Sequence, residues 1–522
     1  MRQSIILRVV SCLVIVTLPL AARAGSFQLS EQSVSGLGTA FAGGAASAED
    51  ASTLFFNPAG LTLLDKGELQ LGLHAIMPSD EFTNQGTRYN LPGTPFNGLP
   101  VAGGNGSNAG INHIIGNLYL SQPLVRNSSY GDITVGVGVF TPFGLETDYQ
   151  PDFVGRYAAL RTKLTTIDIQ PTLAWRYGRF SLGGGVDIQY ASARLTQAID
   201  FGLAAQAPLG QFYAALPAVL AARGIPPAAI PGVIAATRAA YTAAGFVPGG
   251  LDGVTEITGN DWSVGFTVGG LFEYRKPGED NGFLQEGRIG VSYRSKIDHT
   301  LEGDAAFRRV PLITAPGAPA QFPSPTAFQD VFFNQGVTAP VNLPDILHAS
   351  IYQRFAKSFA VMGDVTWTHW SRLQQVPIVF DNPGTPTNVL NIGYDDSMRY
   401  AVGFEWYACK NLTLRTGFAY DETPIQSAEL RTPRIPDNNR YWLSFGAKYS
   451  PKDWLDIDVG YAHLFVDDPL SNFTDTQGHQ LIGTYNAHVD IVSASFTIKW
   501  GGPREQSQTY AKDSKEVNTY RK

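Results

Sequence analysis

Along much of the chain, apolar residues alternate with polar or small ones in stretches of about ten. Leu455, Ile457, Val459 and Tyr461 alternate with Asp456, Asp458, Gly460 and Ala462, and Tyr441, Leu443, Phe445, Ala447 and Tyr449 with Trp442, Ser444, Gly446 and Lys448. The same pattern sets Val492, Ala494, Phe496, Ile498 and Trp500 against Ser493, Ser495, Thr497 and Lys499, and Ile167, Ile169, Pro171, Leu173 and Trp175 against Thr166, Asp168, Gln170 and Thr172. A two-residue period places each set on one face of a strand. A strand of about 9 to 11 residues crosses a bilayer when its apolar face meets lipid and its polar face meets a lumen. A β-sandwich alternates as well. The aromatics separate the two architectures, because Trp175, Tyr177, Phe180, Trp262, Tyr274, Trp367, Tyr449, Trp454 and Trp500 gather at strand ends, as in the girdles of a membrane barrel.

The connections alternate in length. Short links occur at Tyr177-Gly178-Arg179, Ala356-Lys357-Ser358, Cys409-Lys410-Asn411 and Ser450-Pro451-Lys452-Asp453, and long Gly-, Pro- and Asn-rich stretches near 79–112, 144–161, 201–258, 303–343, 373–396, 422–438 and 467–486. Short periplasmic turns and long outer loops predict an all-β, transmembrane antiparallel β-barrel of about 14 strands over 67–500. The longest loops are 201–258 and 303–343. The first is Ala- and Leu-rich and broken by Pro208, Pro217, Pro226, Pro227 and Pro231, which predicts short helices. It reads either as an apolar docking surface or as a self-packed loop subdomain.

Composition narrows the picture. Arg2 and Arg8, an apolar run from Val9 to Leu18, and Ala22-Arg23-Ala24 form the pattern of a signal peptide over 1–24, so the mature chain is expected to start at Gly25. Without Arg2, Arg8 and Arg23, 35 basic residues face 45 acidic ones, a net charge of −10 that argues against a nucleic-acid partner. Cys409 alone remains after Cys12 leaves, so no internal disulfide is expected. Mean hydropathy is −0.06, and past the signal no apolar run is long enough for a spanning helix. An exported chain of this kind can occupy a membrane only as a closed barrel.

Fourteen strands enclose a lumen that must be filled or remain a water pore. Residues 25–66, rich in Gly, Ala and Ser and too short to fold alone, suit a plug. The run Gly25-Ser26-Phe27-Gln28-Leu29-Ser30-Glu31-Gln32-Ser33, continuing to Gly43, and the element Asn57-Pro58-Ala59-Gly60-Leu61 resemble the small, partly helical N-terminal hatch of the FadL family, the long-chain fatty acid transporters of Gram-negative outer membranes. Pro142-Phe143-Gly144-Leu145, Val154-Gly155-Arg156-Tyr157, Phe418-Ala419-Tyr420-Asp421-Glu422-Thr423-Pro424 and Ile435-Pro436-Asp437-Asn438-Asn439-Arg440-Tyr441-Trp442-Leu443 extend the resemblance through the mature chain.

The resemblance implies a monomeric, plugged barrel in the outer membrane, a low-affinity groove between the third and fourth outer loops, and a pocket below it. It also implies a kinked third strand that lets ligand leave sideways into lipid. Passive import of a hydrophobic small molecule, most simply a long-chain fatty acid, follows, with no cofactor or metal. Import of aromatic or alkane hydrocarbons is the alternative. In the third strand, Gly136, Gly138 and Pro142 are residues that weaken pairing, although they also read as ordinary barrel glycines and a loop-edge proline. A carboxylate head in an apolar pocket calls for a cation. Arg440, on the lumen parity of its strand, matches an arginine that the family places near ligand, and Arg156 lies in a matched loop motif. Either could instead pair with lumen acids such as Asp168, Asp187, Asp364 or Asp458. Phe27 touches ligand if the hatch geometry holds, and otherwise packs the plug.

Two departures stand out: Trp500 is followed by a polar tail to Lys522, expected to be disordered in the periplasm, and the third loop is unusually long and Ala-rich. No G-x-S-x-G, H-E-x-x-H or paired C-x-x-C occurs. The remaining rivals are an outer-membrane lipid hydrolase with Ser and His assembled at the lipid face, and an open polar porin.

Overall fold

The computed structural model describes residues 26–279, 282–311 and 327–501. The expected signal segment 1–24, the start at Gly25, part of the loop at 303–343 and the tail beyond residue 501 lie outside the described residues. The chain forms a closed antiparallel barrel of 14 strands. In order these are β1 (Gly67–Asn84), β2 (His113–Val125), β3 (Asp132–Phe140, resuming over Gly144–Asp148), β4 (Arg161–Tyr177), β5 (Phe180–Asp200) and β6 (Asp252–Arg275). Then come β7 (Leu284–Arg294, resuming over Ile297–Arg308), β8 (Gln335–Leu343 and Ile346–Phe355), β9 (Phe359–Thr368, with an outer piece Gln375–Phe380) and β10 (Ser397–Cys409). The wall ends with β11 (Leu412–Asp421), β12 (Arg440–Lys452), β13 (Leu455–Val466) and β14 (His479–Trp500). Closure is the pairing of β1 with β14, from Gly67 opposite Trp500 to Asn84 opposite Gly483.

The alternation predicts the faces. On β14, Val492, Phe496 and Ile498 are exposed on the outer wall while Ser493, Ser495 and Thr497 are buried, and on β4 Ile167 and Leu173 face out while Thr166, Asp168 and Gln170 are buried. The loop expected at 201–258 holds helices α3 (Phe201–Ala204), α4 (Gln206–Ala222) and α5 (Ile230–Ala243), and it ends sooner than expected because β6 begins at Asp252. Pro217 lies inside α4 rather than breaking it. Leu209 and Tyr241 are buried between these helices, whereas Pro217, Ile230 and Ile234 line an open groove, so the loop both packs on itself and exposes apolar surface.

Residues 26–66 fill the lumen. They carry two helical turns, α1 (Val34–Gly38) and α2 (Thr53–Phe56), and a 3-10 helix, Pro58–Leu63. Asn57 explains its own motif. Its Oδ1 accepts from the Ala59 N–H at 3.1 Å to cap the 3-10 helix, and its Nδ2 donates to Ala45 O (2.7 Å) and Gly270 O (3.0 Å), which ties the hatch to β6. Gly290 and Gly417 of the wall lie so close to the hatch backbone at Ala45 and Thr39 that a methyl group at either would overlap it.

Charge holds the lower hatch. Arg415, fully buried, binds Glu405 (3.0 Å), Asp458 (2.8 Å) and the hatch residue Glu49, which Lys448 also reaches at 3.1 Å. Removing one member of such a cluster strands a buried charge, at a cost of about 3–5 kcal/mol. Arg415→Ala is therefore expected to lower the thermal unfolding temperature of the purified barrel more than removal of the half-exposed Arg161 from its rim pairs, which calorimetry would check.

Candidate functional site

The strand register makes an interruption of the barrel wall beside β2 explicit. β2 pairs with β1 as far as His113, but with β3 only from Leu118 to Val125. The outer edge of His113–Asn117 therefore has no strand beside it, because β3 stops at Phe140, turns through Thr141, Pro142 and Phe143, and resumes at Gly144 in a ladder with β4, with Thr147 bridged to Gly110 just ahead of β2. The hatch covers part of the break: Leu29 N–H donates to Pro142 O at 2.9 Å and Gly144 N–H donates to Phe27 O at 3.0 Å. Pro142 suits this corner, since it has no N–H to leave unpaired while its carbonyl is used.

A cavity of about 570 Å³ runs through the break. Asp80, Asp437 and Arg440 line its lumen side, and Ile114, Gly116 and Ile167 its outer side, with Ile114 76% exposed on the wall. A second cavity, of about 120 Å³, lies beside it in the outer half of the lumen and is apolar: Leu195, Ile257, Leu301, Ile378 and Leu390 are among its walls. Phe27, Leu145, Leu164 and Ile435 line both cavities and so form the partition between them.

Phe27 is buried against Trp370 (ring centroids 4.6 Å apart) and Phe143 (6.1 Å). The ring packs the hatch end and also walls both cavities. Its neighbour Ser26 ties that end down: the N–H donates to Asp437 Oδ2 at 3.1 Å and the hydroxyl to Tyr394 OH at 3.0 Å.

Arg440 lines the larger cavity but is already paired. Its Nε and Nη2 donate to Asp437 Oδ1 (2.9 and 2.6 Å), and Nη2 also reaches Ser26 O at 2.7 Å. Arg156 is in neither cavity's lining; it clamps the outer loops, with Nε on Asp252 at 2.7 Å and Nη1 on Ala102 O at 2.6 Å. The lumen acids expected as partners serve other residues: Asp168 and Asp187 pair with Arg294 (3.2 and 3.0 Å), Asp458 with Arg415, and Asp364 accepts from Ser350 and Thr366.

The third-strand residues divide. Pro142 is at the break, but Gly136 and Gly138 are not: Gly136 pairs with Ser121 and Thr172, and Gly138 with Tyr119 and Gln170. Their missing side chains make room for Leu54 of the hatch instead, which a Cβ at either position would meet at 2.9 Å. Residues missed from sequence are Asp437, Ser26 and Arg434; all lie in irregular segments, where no parity assigns a face.

One Ser–His contact bears on the hydrolase rival. His74 Nδ1 lies 2.7 Å from Ser493 Oγ and its Nε2 lies 2.8 Å from Asn117 Nδ2, but all three are buried on the lumen face, away from lipid.

The closed 14-strand barrel with a small helical hatch inside it defines a membrane β-barrel of the plugged class. A profile of the family described as Outer membrane protein transport protein (OMPP1/FadL/TodX) matches residues 15–500, and the chain belongs to that family, whose members lie in the outer membrane. It is 28% identical over 443 residues to the long-chain fatty acid transport protein of Escherichia coli K12, covering 84% of this chain and 87% of that one. Over 490 residues it is 27% identical to an outer membrane protein of Neisseria meningitidis serogroup B, covering 91% and 95%. Among solved structures, a Pseudomonas aeruginosa FadL homologue superposes with a TM-score of 0.71 at 23% identity, covering 91% of this chain and 100% of that one. The Ralstonia pickettii toluene transporter TbuX gives 0.55 at 17%, covering 89% and 97%.

Proposed function

We propose that the protein passively imports hydrophobic molecules, long-chain fatty acids foremost, and releases them sideways into the bilayer. The observation that carries this is the pair of cavities divided by Phe27, one apolar and in the outer half of the barrel, the other reaching through the break in the wall. Apolar surface on α4 and α5 takes the ligand from water, the apolar cavity holds it, displacement of Phe27 joins the two cavities, and the break leads to lipid. Each stage keeps the chain out of water, so the hydrophobic effect drives the process without an energy source.

Import of aromatic hydrocarbons is the second reading, and cavity size favours it in one respect. A dry cavity of roughly 150 Å³ holds benzene, so the 120 Å³ space is close to the size a small ring needs, whereas an acyl chain needs Phe27 to move. The test is uptake by cells that lack their own transporter and express this chain, with labelled hexadecanoate and labelled toluene side by side. Faster hexadecanoate uptake is expected. Stimulation of toluene alone would make the second reading correct, and stimulation of neither would defeat both.

Arg440 is proposed as the cation a head group meets on its way out. Because Asp437 already neutralises it, Arg440→Ala is expected to weaken hexadecanoate binding only about fivefold, less than loss of a full charge-assisted hydrogen bond. Equal weakening for an alkane of the same length would show that Arg440 only anchors the hatch end at Ser26.

A further inference from the structure

We infer that Arg434 is the residue that holds the carboxylate head of a ligand in the apolar cavity, and so selects acids there. This rests on the transport reading above and assigns its polar contact. Arg434 sits in the outer loop between β11 and β12, yet its side chain is buried and lines the apolar cavity beside Thr162 and Thr432.

Its partners are neutral. Nη2 donates to Gln197 Oε1 at 2.5 Å and Nη1 to Thr162 Oγ1 at 3.3 Å, and among the described residues no carboxylate pairs with it. Several other buried arginines have a carboxylate: Arg156 has Asp252, Arg294 has Asp168 and Asp187, Arg415 has Glu49, Glu405 and Asp458, and Arg440 has Asp437. Arg399 and Arg431 bond main-chain carbonyls instead, but neither lines the apolar cavity as Arg434 does. Burial pulls the Arg434 guanidinium down to about 10, and it still carries its charge at neutral pH.

A buried charge without a counter-ion is unfavourable unless something else supplies one. A guanidinium has five N–H donors in a planar fork that matches a carboxylate, and two partners leave donors to spare. The cavity around it is otherwise walled by Leu195, Ile257, Leu301 and Ile378, which suit an acyl chain. One cation at the edge of an apolar space fixes which end of an amphiphile goes where. A neutral hydrocarbon fits the same walls but leaves Arg434 uncompensated, so the residue selects acids over hydrocarbons. Lys163 also lines the cavity, but it already pairs with Glu146 at 2.7 Å and is the weaker candidate.

The test uses the full chain in lipid nanodiscs, titrated with hexadecanoate and with hexadecanol. Arg434→Gln is expected to weaken hexadecanoate binding between about tenfold and a hundredfold, the range for a lost charge-assisted hydrogen bond, and to leave hexadecanol within about twofold. Arg434→Lys, which keeps the charge, is expected to recover most of the hexadecanoate affinity. Equal weakening for both probes would show that Arg434 only ties the loop to Gln197 and Thr162, and no change for either would remove it from the site; both overturn the inference and leave the transport reading intact. If the unaltered protein binds neither probe, the transport reading fails first, and the role of Arg434 with it.

Discussion

Deleting residues 25–66 is expected to leave an inserted barrel that conducts ions, where the full chain conducts little. The wall does not need the hatch to close: the ladder from Gly67–Trp500 to Asn84–Gly483 joins the first and last strands by main-chain hydrogen bonds alone. The lumen does need it, because Leu37, Leu54, Phe55, Phe56 and Leu61 of this segment form the centre of the main buried cluster. Without them a lumen of this strand number holds water, and conductance in a planar bilayer should rise by about tenfold or more. Buried wall charges are the cost. Arg415 loses Glu49 but keeps Glu405 and Asp458, and Arg399 loses its contact with Ala40 O (2.8 Å). Water entering the lumen solvates both, so folding survives. Conductance no higher than that of the full chain would show that residues 25–66 are not the plug.

Blocking the wall break is expected to have the second large effect. Ile115 and Gly116 are on the length of β2 that pairs with β1 but not with β3, and they line the cavity that passes through the wall. A Cβ on Gly116 would have its nearest neighbour, Leu73, at 3.5 Å, so a larger side chain fits there without strain and covers the outer mouth. Ile115→Trp fills the inner side. The pair should cut hexadecanoate uptake by on the order of tenfold, equal to about 1.4 kcal/mol at the passage step, and leave binding to the purified barrel unchanged. Gly270→Trp is the control, since Gly270 is similarly roomy but lies on β6 in fully paired wall. Should uptake survive both tryptophans but fail when a disulfide locks the hatch to the wall, ligand travels down the lumen and the sideways route is wrong.

The same break shows how far parity reasoning reaches. Gly136, Gly138 and Pro142 read alike as weak pairing residues, yet only Pro142 is at the opening. A glycine in a strand marks either a lapse in pairing or a close approach by something else, and only the position of Leu54, far away in sequence, selects the second for Gly136 and Gly138. Arg440 was legible because it begins a strand whose alternation assigns it to the lumen. Its partner Asp437 was not, because an irregular loop has no period from which to read a face.

What the amino-acid order determined by itself is the barrel: the two-residue period, the strand lengths, the alternating short and long connections, and a small Gly- and Ala-rich piece to fill the lumen. These are local properties, repeated along the chain and enforced by a solvent that leaves no backbone group unpaired. What only the tertiary structure decided is the site. Which arginine has a carboxylate beside it, which wall glycine faces the hatch, and where Phe27 divides two cavities all depend on residues hundreds of positions apart meeting across a lumen, as Ser26 meets Asp437 and Arg434 meets Gln197. Charge compensation and shape are properties of such meetings, and no periodicity along the chain encodes them.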